Sequence, residues 1–161
     1  MKKTILSLFI LFLFTGNVFS AGSSGGDGGN KSNYDQAVKL IKSAKKDEEK
    51  GKKDKASSKY EKAFKLLVKS NKEKPNKADT LNYLGFTSRK LGDFENGEKY
   101  YLKGLELDPN HIGINEYLGE LYVATNRHNL AVERLEVLKS CNCEEYEELK
   151  AIIAGEKVSK Y

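Results

Sequence analysis

The feature that most constrains this chain is a short pattern that recurs at a separation of 34 residues. The pair Leu84-Gly85 recurs as Leu118-Gly119, and Tyr83 recurs as Tyr117 at the same separation. A fixed period of this size is typical of helical repeat proteins, in which each unit buries its apolar face against the next. The recurrence therefore predicts a helical repeat.

Residues 80–109 contain the complete pattern of one repeat unit, which predicts two short amphipathic helices joined by a tight turn. Gly92 can end the first helix because glycine readily adopts a positive φ. Asp93 can cap the second helix. Pro109 cannot continue that helix and biases the residue before it away from the α region, so the unit closes there and Asn110 starts the next one.

Small residues are expected where the two helices of this unit cross. A Cβ at Gly85 or Gly97 would push the helices apart, while Leu84 and Tyr101 supply the bulk beside them. With its Leu-Gly pair, turn glycine, Phe94, Gly97, Tyr101, Gly104 and closing proline, the unit resembles the tetratricopeptide repeat (TPR). The resemblance implies an all-α fold, a right-handed superhelix of antiparallel helix pairs with a C-terminal capping helix. It also implies a module that binds a protein or peptide and needs no cofactor.

The flanking repeats depart from the pattern in identifiable ways. In the first repeat Gly51 is the turn glycine, but Ser43-Ala44 replaces Leu-Gly and about seven extra residues precede Ala78. We therefore expect either a longer second helix or a loose linker there. In the third repeat Asn126 replaces the turn glycine, and because Asn tolerates positive φ the turn should survive. His128 replaces the aromatic residue and is expected to be partly packed.

The sequence predicts six segments, the start of the first helix and the apolar face of the last helix. Asn33 and Gln36 form a plausible capping box for the first helix. At the other end, the helix from Glu144 presents Tyr146, Leu149, Ile152 and Ile153 on one face, as a capping helix should. The segments are a signal peptide (1–20), a Gly/Ser-rich flexible linker (21–33), divergent repeat one (34–77), repeat two (78–111), repeat three (112–143), and the capping helix with its tail (144–161).

The amino terminus has the pattern of a secretory signal peptide. Two lysines precede the apolar run Ile5–Phe14, and small or apolar residues reach Ser20. Gly16-Asn17 interrupts the run before the ~18 apolar residues that a membrane anchor needs. We expect cleavage after Ser20 and a location in the bacterial periplasm, with secretion as the alternative and membrane contact only through the uncleaved signal peptide.

Charge is divided unevenly along the chain. Residues 34–77 hold 15 lysines against 7 acidic residues, whereas residues 78–161 hold 10 basic against 15 acidic residues. The basic part could meet an acidic partner, lipid headgroups or an anionic polymer. A simpler interpretation is that lysine favours helices and keeps them soluble. We expect no nucleic-acid partner.

The only local motif that suggests chemistry is Cys141-Asn142-Cys143. Two cysteines in an exported protein are expected to be oxidised, which favours a structural disulfide at the turn before the last helix. The alternatives are unpaired or intermolecular cysteines, and a redox or metal site. Only His111 and His128 are available as further metal ligands, and neither has ligand spacing to the cysteines.

The TPR resemblance also implies where a partner would bind, because the first helix of each repeat lines the concave face. The corresponding positions for a partner-binding groove are Lys45, Asn82, Tyr83, Phe86, Arg89, Glu116, Tyr117 and Glu120. Tyr83 and Tyr117 could face the partner or pack between neighbouring first helices. Of the positions that clamp a carboxylate in related cochaperones, only Lys45 could serve here.

These observations favour a non-catalytic scaffold that docks a protein or peptide. No nucleophile, base and orienting carboxylate can be grouped from the sequence, so we expect no enzyme. Two other hypotheses remain at this stage. One is a thiol redox or metal-carrying protein centred on Cys141 and Cys143, and the other is a structural protein that self-associates into homo-oligomers.

Overall fold

The computed structural model describes residues 31–159, which form seven α-helices and no strand. The predicted signal peptide (1–20), residues 21–30 of the predicted linker and residues 160–161 lie outside the described residues. The all-α prediction is confirmed. The helices are α1 (Asn33–Glu49), α2 (Lys53–Glu73), α3 (Ala78–Lys90), α4 (Phe94–Leu107), α5 (Ile112–Ala124), α6 (His128–Leu138) and α7 (Glu144–Ile153).

The helices stack as three pairs and a cap. Helix α1 packs on α2, α3 on α4, and α5 on α6, and each pair adjoins the next through α2 with α3 and through α4 with α5. The first helices α1, α3 and α5 also touch one another in order, and α7 packs on α5 and α6. Since α7 covers the apolar flank of the last pair, it acts as the expected capping helix.

One turn joins the two helices of each pair, and each of these three turns contains a residue with positive φ. The φ angles are +70° at Gly51, +85° at Gly92 and +59° at Asn126. Asn126 thus takes the place of the turn glycine in the third repeat, as the sequence predicts. Asp93 caps α4 by accepting a hydrogen bond from the backbone N–H of Asn96 at 3.2 Å.

Two helix starts differ from the sequence prediction. Ser32 is the N-cap of α1, accepting from the backbone N–H of Asp35, so the predicted capping box of Asn33 and Gln36 does not form. Asn33 lies in the first turn of α1 and donates to Glu73 instead, 2.7 Å away. Likewise α5 is capped by His111 and not by Asn110, because the imidazole Nδ1 accepts from the backbone N–H of Ile114.

The extra residues of the first repeat lengthen its second helix. Helix α2 has 21 residues and continues to Glu73, so of the two alternatives for this segment the structure has the longer helix. Its buried stripe is Ala56, Tyr60, Ala63 and Leu67, spaced by three and four residues as an amphipathic helix requires. The same helix also presents Phe64, whose ring meets that of Tyr100 on α4.

The recurring glycines allow close approach between helices, but with different neighbours. A Cβ at Gly85 would lie 2.5 Å from the ring of Tyr101 on α4, the partner helix of the same pair. A Cβ at Gly119 would lie 2.5 Å from Leu149 on α7. Neither glycine faces water, and at both positions any larger residue would meet a side chain already in place.

Candidate functional site

A cavity of about 950 Å³ lies on the side of the first helices. Residues of α1, α3 and α5 line its floor, the start of α2 and the turn after α3 close one end, and α7 forms the opposite wall. The volume is that of a ligand-binding cavity. We call this cavity the concave groove.

The floor of the concave groove is aromatic and carries one fixed ammonium group. The rings of Phe86 and Tyr117 lie 5.2 Å apart, centre to centre. The Lys45 Nζ lies 4.7 Å from the centre of the Phe86 ring and donates a hydrogen bond to the Tyr117 hydroxyl at 3.2 Å. The edge of Tyr60 meets Phe86 from α2, and its hydroxyl donates to Glu48. These contacts hold the floor rigid.

Two cations tie the first helices together beneath the groove. Arg89 of α3 is buried, donates from Nη1 to the backbone oxygen of Tyr117 at 2.7 Å and lies 3.5 Å from the Glu120 carboxylate. Lys90 reaches back to Glu48 of α1 at 2.7 Å. Both therefore hold α1, α3 and α5 in register, whatever else they bind.

Two carboxylates of α5 are buried side by side. Burial and the charges of Glu120, Glu145 and Glu148 raise the pKa of Glu116 to about 8, while Lys45 acts in the opposite direction. Burial also raises the pKa of Glu120, although the Arg89 guanidinium and the Ser159 hydroxyl oppose that rise. At neutral pH the Glu116 carboxyl is therefore largely protonated, and a nearby cation would favour its ionised form.

The structure brings six of the eight expected groove residues to the concave groove: Lys45, Phe86, Arg89, Glu116, Tyr117 and Glu120. Asn82 and Tyr83 lie outside its lining. The Tyr83 ring packs against Tyr34 of α1 at 5.9 Å, and Asn82 is buried beside Gly113 at the start of α5. Tyr83 thus packs between neighbouring first helices, which is the alternative position for these tyrosines. Tyr117 lines the groove and also packs between first helices, since its ring contacts Phe86 of α3.

Sequence reasoning missed the contributions of α2 and α7 to the groove. Lys53, Ser57 and Tyr60 come from α2, and Glu144, Glu145 and Glu148 come from α7. Of these three acidic residues, Glu144 is exposed, whereas Glu145 and Glu148 are half-buried. Their spacing of three residues, with Leu149 beside them, was the available signal that this edge of α7 faces the chain.

The cysteines and histidines lie apart from the groove. Cys141 and Cys143 are joined by a disulfide, with their Cα atoms 5.2 Å apart, at the turn between α6 and α7. His111 contacts Asp79, and His128 is exposed at the start of α6 and is not partly packed as expected. Residues 31–159 contain no cluster of three or more histidine, cysteine or acidic side chains that could hold a metal ion. No helix in this part of the chain is sufficiently long and apolar to cross a membrane.

The described residues define a helical repeat protein with a concave groove along its first helices. A family model for the tetratricopeptide repeat matches residues 78–111, which are α3 and α4 with their flanking turns. This match assigns residues 78–111 to the tetratricopeptide repeat, and the all-helical solenoid predicted from the sequence is the fold of the described residues. A comparison with curated protein sequences gives no match.

Several solved structures have the same fold. The first TPR domain of Spaghetti (RPAP3), bound to the HSP90 peptide SRMEEVD, superposes with a TM-score of 0.55 at 18% identity, covering 81% of this chain and 100% of that one. The second TPR domain of human RPAP3, with the HSP70 peptide SGPTIEEVD, gives 0.52 at 17% identity over 76% and 98% of the two chains. The Yersinia enterocolitica type III secretion chaperone SycD, with a peptide of the translocator YopD, gives 0.53 at 18% identity over 75% and 88%.

Proposed function

We propose that this chain is a non-catalytic scaffold that docks an extended protein segment in its concave groove. The observation that carries the proposal is the groove itself, a cavity of about 950 Å³ with a rigid aromatic floor. The three solved structures described above each contain a bound peptide, which supports the same use here.

The floor suits a peptide for a physical reason. Phe86 and Tyr117 are held by neighbouring helices, so they offer apolar contact without losing side-chain freedom on binding. Among the described residues that line the groove there is no histidine and no cysteine. A serine nucleophile there would therefore lack the neighbouring imidazole that most often activates it, which favours binding without turnover.

Site-directed photocrosslinking in the native cell tests the docking function. A benzophenone amino acid at Ser57, on the rim of the groove, should give a discrete adduct with a partner. The same group at Lys103, exposed on α4 and outside the groove lining, is the matched control. Equal adducts from both positions, or an adduct from Lys103 alone, would contradict docking in the groove. Mass spectrometry of the adduct identifies the partner.

We also propose that the chain is exported and acts in the bacterial periplasm. The lysines and apolar run of residues 1–20 support export, and the disulfide between Cys141 and Cys143 agrees with an oxidising compartment. Mass measurement of the protein from a periplasmic extract should give a chain beginning at Ala21. A full-length chain recovered from the cytoplasm would refute export.

A further inference from the structure

The two sides of the concave groove differ in charge. On the side of α1 and α3, each basic group contacts an aromatic ring, a backbone oxygen or a carboxylate, as the contacts of Lys45, Arg89 and Lys90 show. The side made by α5 and α7 has no basic residue among the described groove residues. It consists of Glu116, Glu120, Glu144, Glu145 and Glu148, together with Ser159, and we call these five carboxylates the acidic wall.

Two members of the acidic wall are buried, Glu116 and Glu120, and of these two only Glu116 has no hydrogen-bond or ion-pair partner among the described residues. It is only 7% exposed and lines the groove, yet no group within residues 31–159 donates a hydrogen bond to its carboxylate or forms a salt bridge with it. The charged and titratable groups that face it are Glu120 on its own helix, Glu145 and Glu148 of α7, Lys45 of α1, and Tyr101 and Tyr117. A buried carboxyl in such surroundings is satisfied by a cation from outside.

The chain's own C-terminal segment shows what the acidic wall accepts. After Gly155 the backbone turns along α7, and the Lys157 ammonium lies 2.7 Å from the Glu148 carboxylate. Two residues later the Ser159 hydroxyl donates to Glu120 at 2.9 Å. An amine and a hydroxyl on alternate residues therefore already contact this wall, but neither they nor any other group of residues 31–159 pairs with Glu116.

We propose that the concave groove selects a partner segment through a lysine or arginine side chain that pairs with Glu116 on the acidic wall. The inference rests on the proposed docking function and specifies its partner. An adjacent apolar residue of the segment lies on the floor formed by Phe86 and Tyr117. Because Lys157 holds Glu148, the incoming segment displaces the C-terminal residues from the wall. The partner segment would therefore be basic, whereas the peptides bound in two of the solved structures end in the acidic sequence Glu-Glu-Val-Asp.

A matched pair of peptides tests this preference on the full chain. The probes are fluorescein-labelled SRMEEVD and the analogue in which its two glutamates and its aspartate are replaced by lysine. Fluorescence anisotropy should show that the lysine analogue binds at least about tenfold tighter, the ratio that ~1.4 kcal/mol provides. Equal binding, tighter binding of SRMEEVD, or no binding of either peptide would overturn the charge preference.

Variants locate the effect on the acidic wall. Glu116→Gln keeps the shape of the side chain and should weaken binding of the lysine analogue about tenfold. The control is Glu106→Gln, exposed on α4 and outside the groove, which should change nothing. Lys157→Ala frees Glu148 and should tighten binding. An equal effect of both glutamine variants, or weaker binding by Lys157→Ala, would refute the assignment.

The pH dependence gives a second readout. A cation beside Glu116 ionises its carboxyl, so binding releases a proton and affinity should rise with pH up to the unbound pKa of about 8. Glu116→Gln should remove that rise. Failure of these binding tests leaves the docking function open to the crosslinking experiment, which does not depend on the partner's charge.

Discussion

The recurring glycines make the sharpest test of the packing, because one substitution should have two different results. At Gly85 an added Cβ would lie 2.5, 2.6 and 2.8 Å from three atoms of the Tyr101 ring, which is fully buried and cannot swing aside. Overpacking of this kind costs about 1–3 kcal/mol, while replacing a helical glycine by alanine returns roughly 1 kcal/mol. Gly85→Ala should therefore lower the free energy of unfolding by up to about 2 kcal/mol.

Gly119→Ala is the matched control. The atoms nearest its Cβ would be the terminal methyl groups of Leu149 at 2.5 and 2.8 Å. A leucine side chain can change rotamer, so relief is easier there than for a tyrosine ring. The helix-propensity gain should then roughly balance the contact, leaving a change within about 0.5 kcal/mol.

Urea unfolding followed by far-UV circular dichroism measures both variants. The double variant with Tyr101→Leu completes the cycle, because removing the ring should make Gly85→Ala neutral or stabilising. The coupling between the two positions should be about 1–2 kcal/mol. The explanation is refuted if Gly85→Ala and Gly119→Ala destabilise the protein equally, or if Tyr101→Leu does not relieve the effect of Gly85→Ala. In either case Gly85 is not required for the close approach of α3 and α4.

Three further outcomes follow from the described contacts. The pKa of Glu116 rises from 4.5 to about 8, so stability present below pH 4.5 is lost as the pH rises to about 8. Glu116→Gln should abolish this loss, which is on the order of 5 kcal/mol over the full range, in pH-dependent urea melts. Gly92→Ala places a Cβ at φ +85° and should lower the free energy of unfolding by about 1 kcal/mol in the same assay. Arg127→Lys removes a bidentate pair with Glu98, 2.8 Å at both oxygens, and should lower the free energy of unfolding by about 1 kcal/mol at most in the same assay.

Most of the fold could be predicted from the sequence because its determinants are local. The turn residues Gly51, Gly92 and Asn126 adopt the positive φ that their types permit. The three-and-four spacing of apolar residues on α2 gives its buried face. Helix starts were harder, because Ser32 and Asn33 are both good caps and only the docking of Asn33 on Glu73 separates them.

The groove could be predicted only in part. The TPR resemblance placed Lys45, Phe86 and Tyr117 on the concave face, and these residues line the floor of the groove. It could not show that Tyr83 packs against Tyr34, since the contact joins residues of different repeats whose relative rotation the period does not fix. Nor could it place α7, which lies outside the period.

The sequence by itself determined the repeat, the helix pairs and the small residues where they cross, because those features depend on neighbours within one unit. Only the tertiary structure decided the chemistry of the groove. Glu116 comes from α5, while Glu145 and Glu148 come from α7, and their carboxyl groups perturb one another only after the helices pack. Burial and proximity set the pKa of a carboxyl group, and both are properties of the assembled stack rather than of any single repeat.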